Sequence, residues 1–319
     1  MSFAIENKIE QGFAKIMLKD NSNNTSAEII PSCGGILHAF KIHHNNTLLN
    51  VIDNYNDADD FAKHVTSKGF KSCKLSPFAC RIKNGNYTFG GTKYTTKKFL
   101  LNGSALHGLI YDAAFEIIVQ HTDEEKASVI LKYKYRGDEK GYPFDYDCLI
   151  KYQLQKENAL HITTEIINKS NGLMPIQDGW HPYFTFGGKI DNLQLEFQAK
   201  EKVEFDSELI PTKKLLPYDT FNSLKKIGSE NFDDCFTLNF EELQPLCILR
   251  DSEKRIQLEI KPEKSYPYLQ IYTPLHRDSI AIENLSAAPD AFNNAMGSIT
   301  LASQEAVQFN TTYKITLLS

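Results

Sequence analysis

The stretch FEIIVQHTDEEKASVILKYKY, residues 115–135, alternates in apolar character with a period of two. Phe115, Ile117 and Val119 alternate with Glu116, Ile118 and Gln120. Past the polar turn TDEEKA, Val129, Leu131, Tyr133 and Tyr135 alternate with Ile130, Lys132 and Lys134. Successive side chains of a strand point to opposite faces, so the pattern predicts a hairpin with one face buried. The next segment repeats it. Cys148, Ile150, Tyr152 and Leu154 precede the turn KENA, and Leu160, Ile162, Thr164 and Ile166 follow it. NLQLEFQA, PLCILRD, RIQLEIKP, YLQIYTP, SIAIENL and AVQFNTTYKITLL extend the series. Their short spacing leaves no room for the helical crossovers that a parallel sheet requires. Helical character is confined to NDADDFAKHV, residues 56–65, read as one short helix with an acidic cap. No linker, repeat or low-complexity segment divides the chain. The prediction is one all-β domain over residues 1–319, a large antiparallel β-sandwich.

Composition narrows the function. With 319 residues, 41% hydrophobic and 24% charged, the chain can bury a sizeable core. A net charge of −5, from 35 basic and 40 acidic residues, argues against the clustered basic surface of a nucleic-acid binder. No stretch has the length of a membrane span, so no membrane partner is expected. The opening MSFAIENKIEQGFAKI is charged early and lacks the apolar region of a secretory signal, which predicts a cytoplasmic protein. The cysteines at 33, 73, 80, 148, 235 and 247 form no C-x-x-C pair and are expected to be reduced and buried.

Nucleotide-binding, nucleophile-elbow and H-E-x-x-H motifs are absent from the sequence. FGGTKY reads as a hairpin turn. The adjacent histidines of IHHNN would face opposite sides of a strand, which makes them poor metal co-ligands; they read as solvated. Four segments remain unusual for a plain β core. Arg81, in SPFACRIKNG, stays charged and needs a carboxylate or a polar ligand. His107 precedes a glycine in SALHGLIYD. His181 sits among Trp180, Tyr183 and Phe184 in DGWHPYFTFGG, aromatics that would suit the walls of a sugar pocket. Glu283 ends the apolar strand SIAIE, where a raised pKa would suit a catalytic base. Taken singly, each also has a plain structural explanation: an ion pair, a turn histidine, a half-buried packing residue, and a cap.

Taken together, CRIKNGNYTFGGTKY, LHGLIYD, GWHPYF, DDCF and IENLSAAPDAFNN resemble, in this order, the motifs of the aldose 1-epimerases, the galactose mutarotase family. The resemblance implies a β-sandwich enzyme that interconverts the α and β anomers of a free aldohexose by acid–base ring opening, with neither cofactor nor metal. It implies His181, Glu283 and His107 as catalytic residues, with Glu283 the general base, and Arg81 and Asp233 as sugar ligands. Asp234 is the neighbouring register for the aspartate, and Trp180 and Tyr183 are candidate walls. Ser104 departs from the pattern, since many members carry asparagine three residues before the first histidine; Asn102 lies two residues further off. In the implied mechanism an ionised Glu283 removes the C1 hydroxyl proton while a protonated His181 donates to the ring oxygen. A carboxylate from Asp178, Asp233 or Glu283 would raise the histidine. Competing readings are a hexose-6-phosphate mutarotase, which needs extra cations, and a non-catalytic sugar-binding protein. A glycosidase using Asp233 and Glu283 leaves both histidines unexplained, and a zinc hydrolase would use His107, His181 and Glu283. The expected partner is a small aldose, bound by a monomer or homodimer.

Overall fold

Period-two alternation becomes antiparallel pairing through most of the chain. The computed structural model describes residues 2–318 and is about 52% strand and 5% helix. Five strands, Phe3–Glu10, Phe13–Asp20, Thr25–Ile30, Ile36–His44 and Thr47–Asn50, form an up-and-down sheet in chain order. A nine-stranded sheet is built on Lys126–Arg136, Asp145–Gln155 and Ala159–Asn168. Ala306–Leu317 returns beside the last of these, followed by Ile256–Pro262 and Cys247–Asp251. An eight-stranded sheet contains Ala199–Phe205, Asp233–Leu238, Tyr268–Tyr272, Ile280–Leu285, Gly179–Trp180 and Lys74–Leu75 in that spatial order, with Tyr183–Phe184 also on Ile280–Leu285.

Large aromatics join the eight- and nine-stranded sheets. Trp180 packs on Tyr152, Phe184 on Tyr313 and Phe236 on Phe197, with ring centroids 6.0, 5.3 and 4.7 Å apart. One buried apolar cluster runs from Phe3 to Ile315 and draws on all three large sheets. Each large side chain buried there contributes roughly 1.5–3 kcal/mol. A smaller cluster, including Tyr55, Phe61, Phe70, Cys73 and Leu285, lies on the other face of the eight-stranded sheet. The predicted helix forms at Ala58–His64, and Asp57 caps it by accepting the Asp60 N–H at 2.7 Å. FGGTKY turns between the paired strands Asn86–Phe89 and Thr92–Thr95. His43 is exposed and His44 half-buried at the end of their strand.

One expectation is corrected. Phe115 is buried, but in the strand Glu116–Thr122 both alternating sets, Ile117 and Val119 as well as Ile118, face solvent. This strand is the edge of the nine-stranded sheet, and a register shift between Ile117 and Val119 breaks its alternation. Its partner Lys126–Arg136 keeps the predicted inward set, with Val129, Leu131 and Tyr135 buried. The six cysteines are unpaired and buried. No helix among the described residues is long and apolar enough to cross a membrane.

Candidate active site

A cavity of about 490 Å³ opens on the face of the eight-stranded sheet that points away from the nine-stranded one. The pleat selects its floor. Asp233 pairs with Tyr272, Cys235 with Gln270, and Gln270 in turn with Glu283, so Asp233, Cys235, Gln270, Tyr272 and Glu283 share one face. The intervening Phe236, Leu269, Ile271 and Ile282 enter the core. Gln270 Nε2 donates to Asp233 Oδ1 at 3.1 Å across the diagonal of this ladder. Asp234 is absent from the cavity lining and pairs with Lys202 at 2.6 Å.

His181 joins the same floor through an interrupted ladder. Gly179 pairs with Leu285 and Tyr183 with Ala281, which sets His181 opposite Glu283. His181 Nε2 stands 3.3 Å from Glu283 Oε1. The His181 backbone is held on its other side, where the Ser72 N–H donates to its carbonyl at 2.9 Å and its own N–H donates to Cys73 O at 3.1 Å. Arg81 belongs to a small three-stranded sheet in which it pairs with Leu106, and His107 follows just past that strand; the His107 N–H donates to Cys80 O at 2.9 Å. Gly108 is required beside it, because a Cβ there would meet Ser76 O at 2.3 Å. The His107 ring packs edge-on against Phe70 and His181, with centroids 4.7 and 4.9 Å away.

Four non-glycine residues around the cavity adopt left-handed backbone: Phe70 (φ 56°), Ser72 (58°), Cys80 (52°) and His107 (60°). Such conformations cost roughly 1–3 kcal/mol each and persist where surrounding structure enforces them. Gly69, at φ +78°, closes the rim under Tyr183; a Cβ there would lie 2.4 Å from the Tyr183 hydroxyl.

Burial sets the electrostatics. It lowers the His181 pKa to about 3. Burial, then the nearby His181 and Arg81, drive His107 well below its ordinary value. Glu283 is held well above the carboxylate range by burial and then by the Asp233 carboxylate, with Arg81 opposing. Asp233 is raised by burial, again against Arg81. The pair therefore favours a neutral imidazole beside a protonated carboxyl, the reverse of the charged pair expected from sequence. Both forms hold one proton between two groups. Asp178, expected as a possible partner of His181, is instead bonded to Lys74 and Tyr266.

His107 Nδ1, His181 Nδ1, Gln270 Oε1 and Glu283 Oε2 are buried without hydrogen-bond partners. Each such group costs about 1–3 kcal/mol, a cost that cavity-lining residues carry when a polar ligand is to satisfy them. No side-chain hydrogen bond engages the Arg81 guanidinium among the described residues, and Arg81 lines the cavity beside Asp233 and Glu283. Cys80, His107 and Glu283 each offer one ligand atom within 4.8 Å of the others.

Arg81, His107, His181, Asp233, Glu283 and Tyr183 thus line one cavity, although the chain separates the first and last of them by about two hundred positions. Trp180 and Phe184 do not. Trp180 is 3% exposed and packs in the inter-sheet core, because neighbours along a strand face opposite ways and His181 takes the cavity side. Phe184, next to the cavity-facing Tyr183, enters the core for the same reason. Phe70, Phe99, Leu106 and Tyr272 supply apolar wall instead. Sequence reasoning missed them, along with Gln270. The lone amide of YLQIYTP, in an otherwise apolar strand, was the available signal for Gln270.

A family model described as aldose 1-epimerase matches residues 15–314. The chain is 24% identical to an aldose 1-epimerase of Streptococcus thermophilus, over 97% of this chain and 96% of that protein. It resembles a galactose mutarotase-like protein from Clostridium acetobutylicum with a TM-score of 0.88 at 19% identity, covering 99% of each chain. A galactose 1-epimerase from Lactobacillus acidophilus superposes with a TM-score of 0.80 at 18% identity, over 99% of this chain and 98% of that one.

Proposed function

The chain belongs to the aldose 1-epimerase family, and from that premise we propose that it interconverts the α and β anomers of a free aldohexose. The observation that carries the proposal is the 3.3 Å separation of His181 Nε2 and Glu283 Oε1 in a cavity also lined by Arg81 and Asp233. Anomerisation needs two proton movements, one off the C1 hydroxyl and one onto the ring oxygen, and an adjacent acid and base supply both.

Binding of the cyclic sugar moves the pair's one proton from Glu283 to His181, leaving Glu283 ionised and His181 protonated. Glu283 takes the C1 hydroxyl proton, the C1–O5 bond breaks with its electron pair going to O5, and O5 takes the proton from His181. A C1 carbonyl forms. Rotation about C1–C2 presents the other face, and the same transfers run backward. Ring opening leaves a protonated Glu283 and a neutral His181, the state that burial favours. Charge is therefore neutralised within the cavity as the ring opens. Arg81 and Asp233 bind sugar hydroxyls by charge-assisted hydrogen bonds, and neutral His107 offers a bond near the ring oxygen.

A phosphorylated hexose is a poorer fit. Arg81 is the single lysine or arginine lining the cavity among the described residues, and it already faces two carboxyl groups. Six unpaired thiols suit a reducing compartment such as the cytoplasm. Polarimetry tests the reading directly, with freshly dissolved α-anomers of glucose and galactose beside glucose 6-phosphate. Acceleration over the spontaneous rate is expected for the free sugars. No acceleration with any aldose would overturn it, and preference for the phosphate would overturn the substrate assignment.

A further inference from the structure

Behind the cavity floor lies a charged cluster that the reaction itself does not use. Lys74 and Asp178 are both fully buried and bonded to each other. A buried ion pair is a poor source of stability, since desolvation offsets its attraction; apolar residues of like volume often do as well. Its connections suggest another use. Lys74 Nζ also donates to Gly179 O at 3.1 Å and lies 4.4 Å above the Trp180 ring. One ammonium thus grips three successive residues immediately before His181.

Asp178 gathers the other segments of the site. Tyr266 Oη donates to its Oδ1 at 2.6 Å, from just ahead of the strand that bears Gln270 and Tyr272. The Asp178 N–H donates to Ser286 Oγ at 2.9 Å, and the Ser286 N–H donates to Asp178 O at 2.9 Å, just past the strand that bears Glu283. Lys74 itself follows Cys73, whose carbonyl accepts the His181 N–H. The segments that carry His181, Glu283 and Gln270 are therefore tied at one point on the far side of the sheet.

We propose that the Lys74–Asp178–Tyr266 cluster is a positioning device that fixes the approach of His181 to Glu283. None of the three lines the cavity, so their effect on the reaction runs through the backbone that carries the acid and the base. Displacing reacting groups by about 1 Å can cost on the order of 10²-fold in rate. The inference rests on the epimerase reading above, and the test separates the two.

The decisive variant is Lys74→Met with Asp178→Asn, which removes both charges together and leaves an amide to accept from Tyr266. Its thermal midpoint is expected to stay close to that of the parent, while kcat for mutarotation falls by about ten- to a hundredfold. KM is expected to change less than about threefold, because Arg81 and Asp233 hold the sugar from other segments. Tyr266→Phe, which deletes one hydroxyl, is the milder companion should the double variant not fold; it is expected to lower kcat several-fold at unchanged KM. Parental kcat in a folded variant, or a change confined to KM, overturns the proposal. A parent with no mutarotase activity would instead sink the functional reading, independently of the cluster.

Discussion

Replacing Glu283 by glutamine isolates the proposed general base, because the change alters chemistry while preserving shape. Glu283 is 2% exposed, and burial, then the Asp233 carboxylate, push its pKa up toward the neutral form. An amide of equal size fills the same space and cannot be charged, so the folded state loses no favourable ionic contact. The unfolding midpoint of Glu283→Gln is therefore expected to match or exceed that of the parent, as happens when a site optimised for reaction is relieved of electrostatic cost. Activity moves the other way. A positioned acid–base group contributes ~10²–10⁴-fold, which at about 1.36 kcal/mol per tenfold is roughly 2.7–5.5 kcal/mol of transition-state stabilisation. The amide neither accepts the C1 hydroxyl proton nor exchanges one with His181 across 3.3 Å. Polarimetry of freshly dissolved α-glucose, corrected for the spontaneous rate, measures kcat, and calorimetric melting measures stability. A variant within tenfold of the parent would refute the general-base assignment. A variant that is inactive because it has unfolded would refute the argument that burial, rather than ion pairing, governs Glu283.

Three further predictions follow from the same geometry. In the proposed mechanism the active free enzyme holds one proton on the His181–Glu283 pair, so the pair itself lowers kcat/KM on the acid side only as a second proton adds near His181's value of about 3, and on the alkaline side as the last proton leaves Glu283 above the usual carboxylate range; an earlier acid-side loss belongs to Asp233, whose pKa burial raises. A pH–rate limb centred near 6.5, absent in His181→Asn, would contradict this. Arg81→Ala is expected to raise KM by about ten- to a hundredfold with a smaller change in kcat, the loss of a charge-assisted contact worth about 1.5–3 kcal/mol; an unchanged KM in steady-state kinetics would remove Arg81 from the sugar's ligands. Lys74→Met alone leaves Asp178 buried without its cation, so denaturant titration should show a loss of about 3–5 kcal/mol. A loss below 1 kcal/mol would mean that Asp178 is already neutral in the parent.

Lys74 marks where reading along the chain stopped short. Arg81 attracts notice as a cation in an apolar run, and Lys74, in SCKLSPF seven residues earlier, has the same property. One lines the cavity and the other lies beneath it, and nothing local distinguishes them. The aromatic run from Trp180 to Phe184 has the same ambiguity. Alternation requires Trp180 and His181 to face opposite sides of the sheet, but it does not say which side is the cavity. In the strand Ile280–Leu285 every residue is buried, so the polar–apolar contrast that reveals an exposed face is missing. The edge strand Glu116–Thr122 fails in the opposite sense, its apolar residues lying where no facing layer covers them.

The sequence by itself determined the strands, because their side-chain period is a property of the backbone, and it determined the candidate chemistry, because arginine, histidine and carboxylate at those motif positions have few alternatives. Only the tertiary structure decided which face of each strand meets the cavity, that His181 stands opposite Glu283, and that burial opposes their expected charges. Those outcomes depend on ladder register between segments about a hundred positions apart and on the solvent that neighbouring layers exclude. Neither quantity is encoded in any one segment.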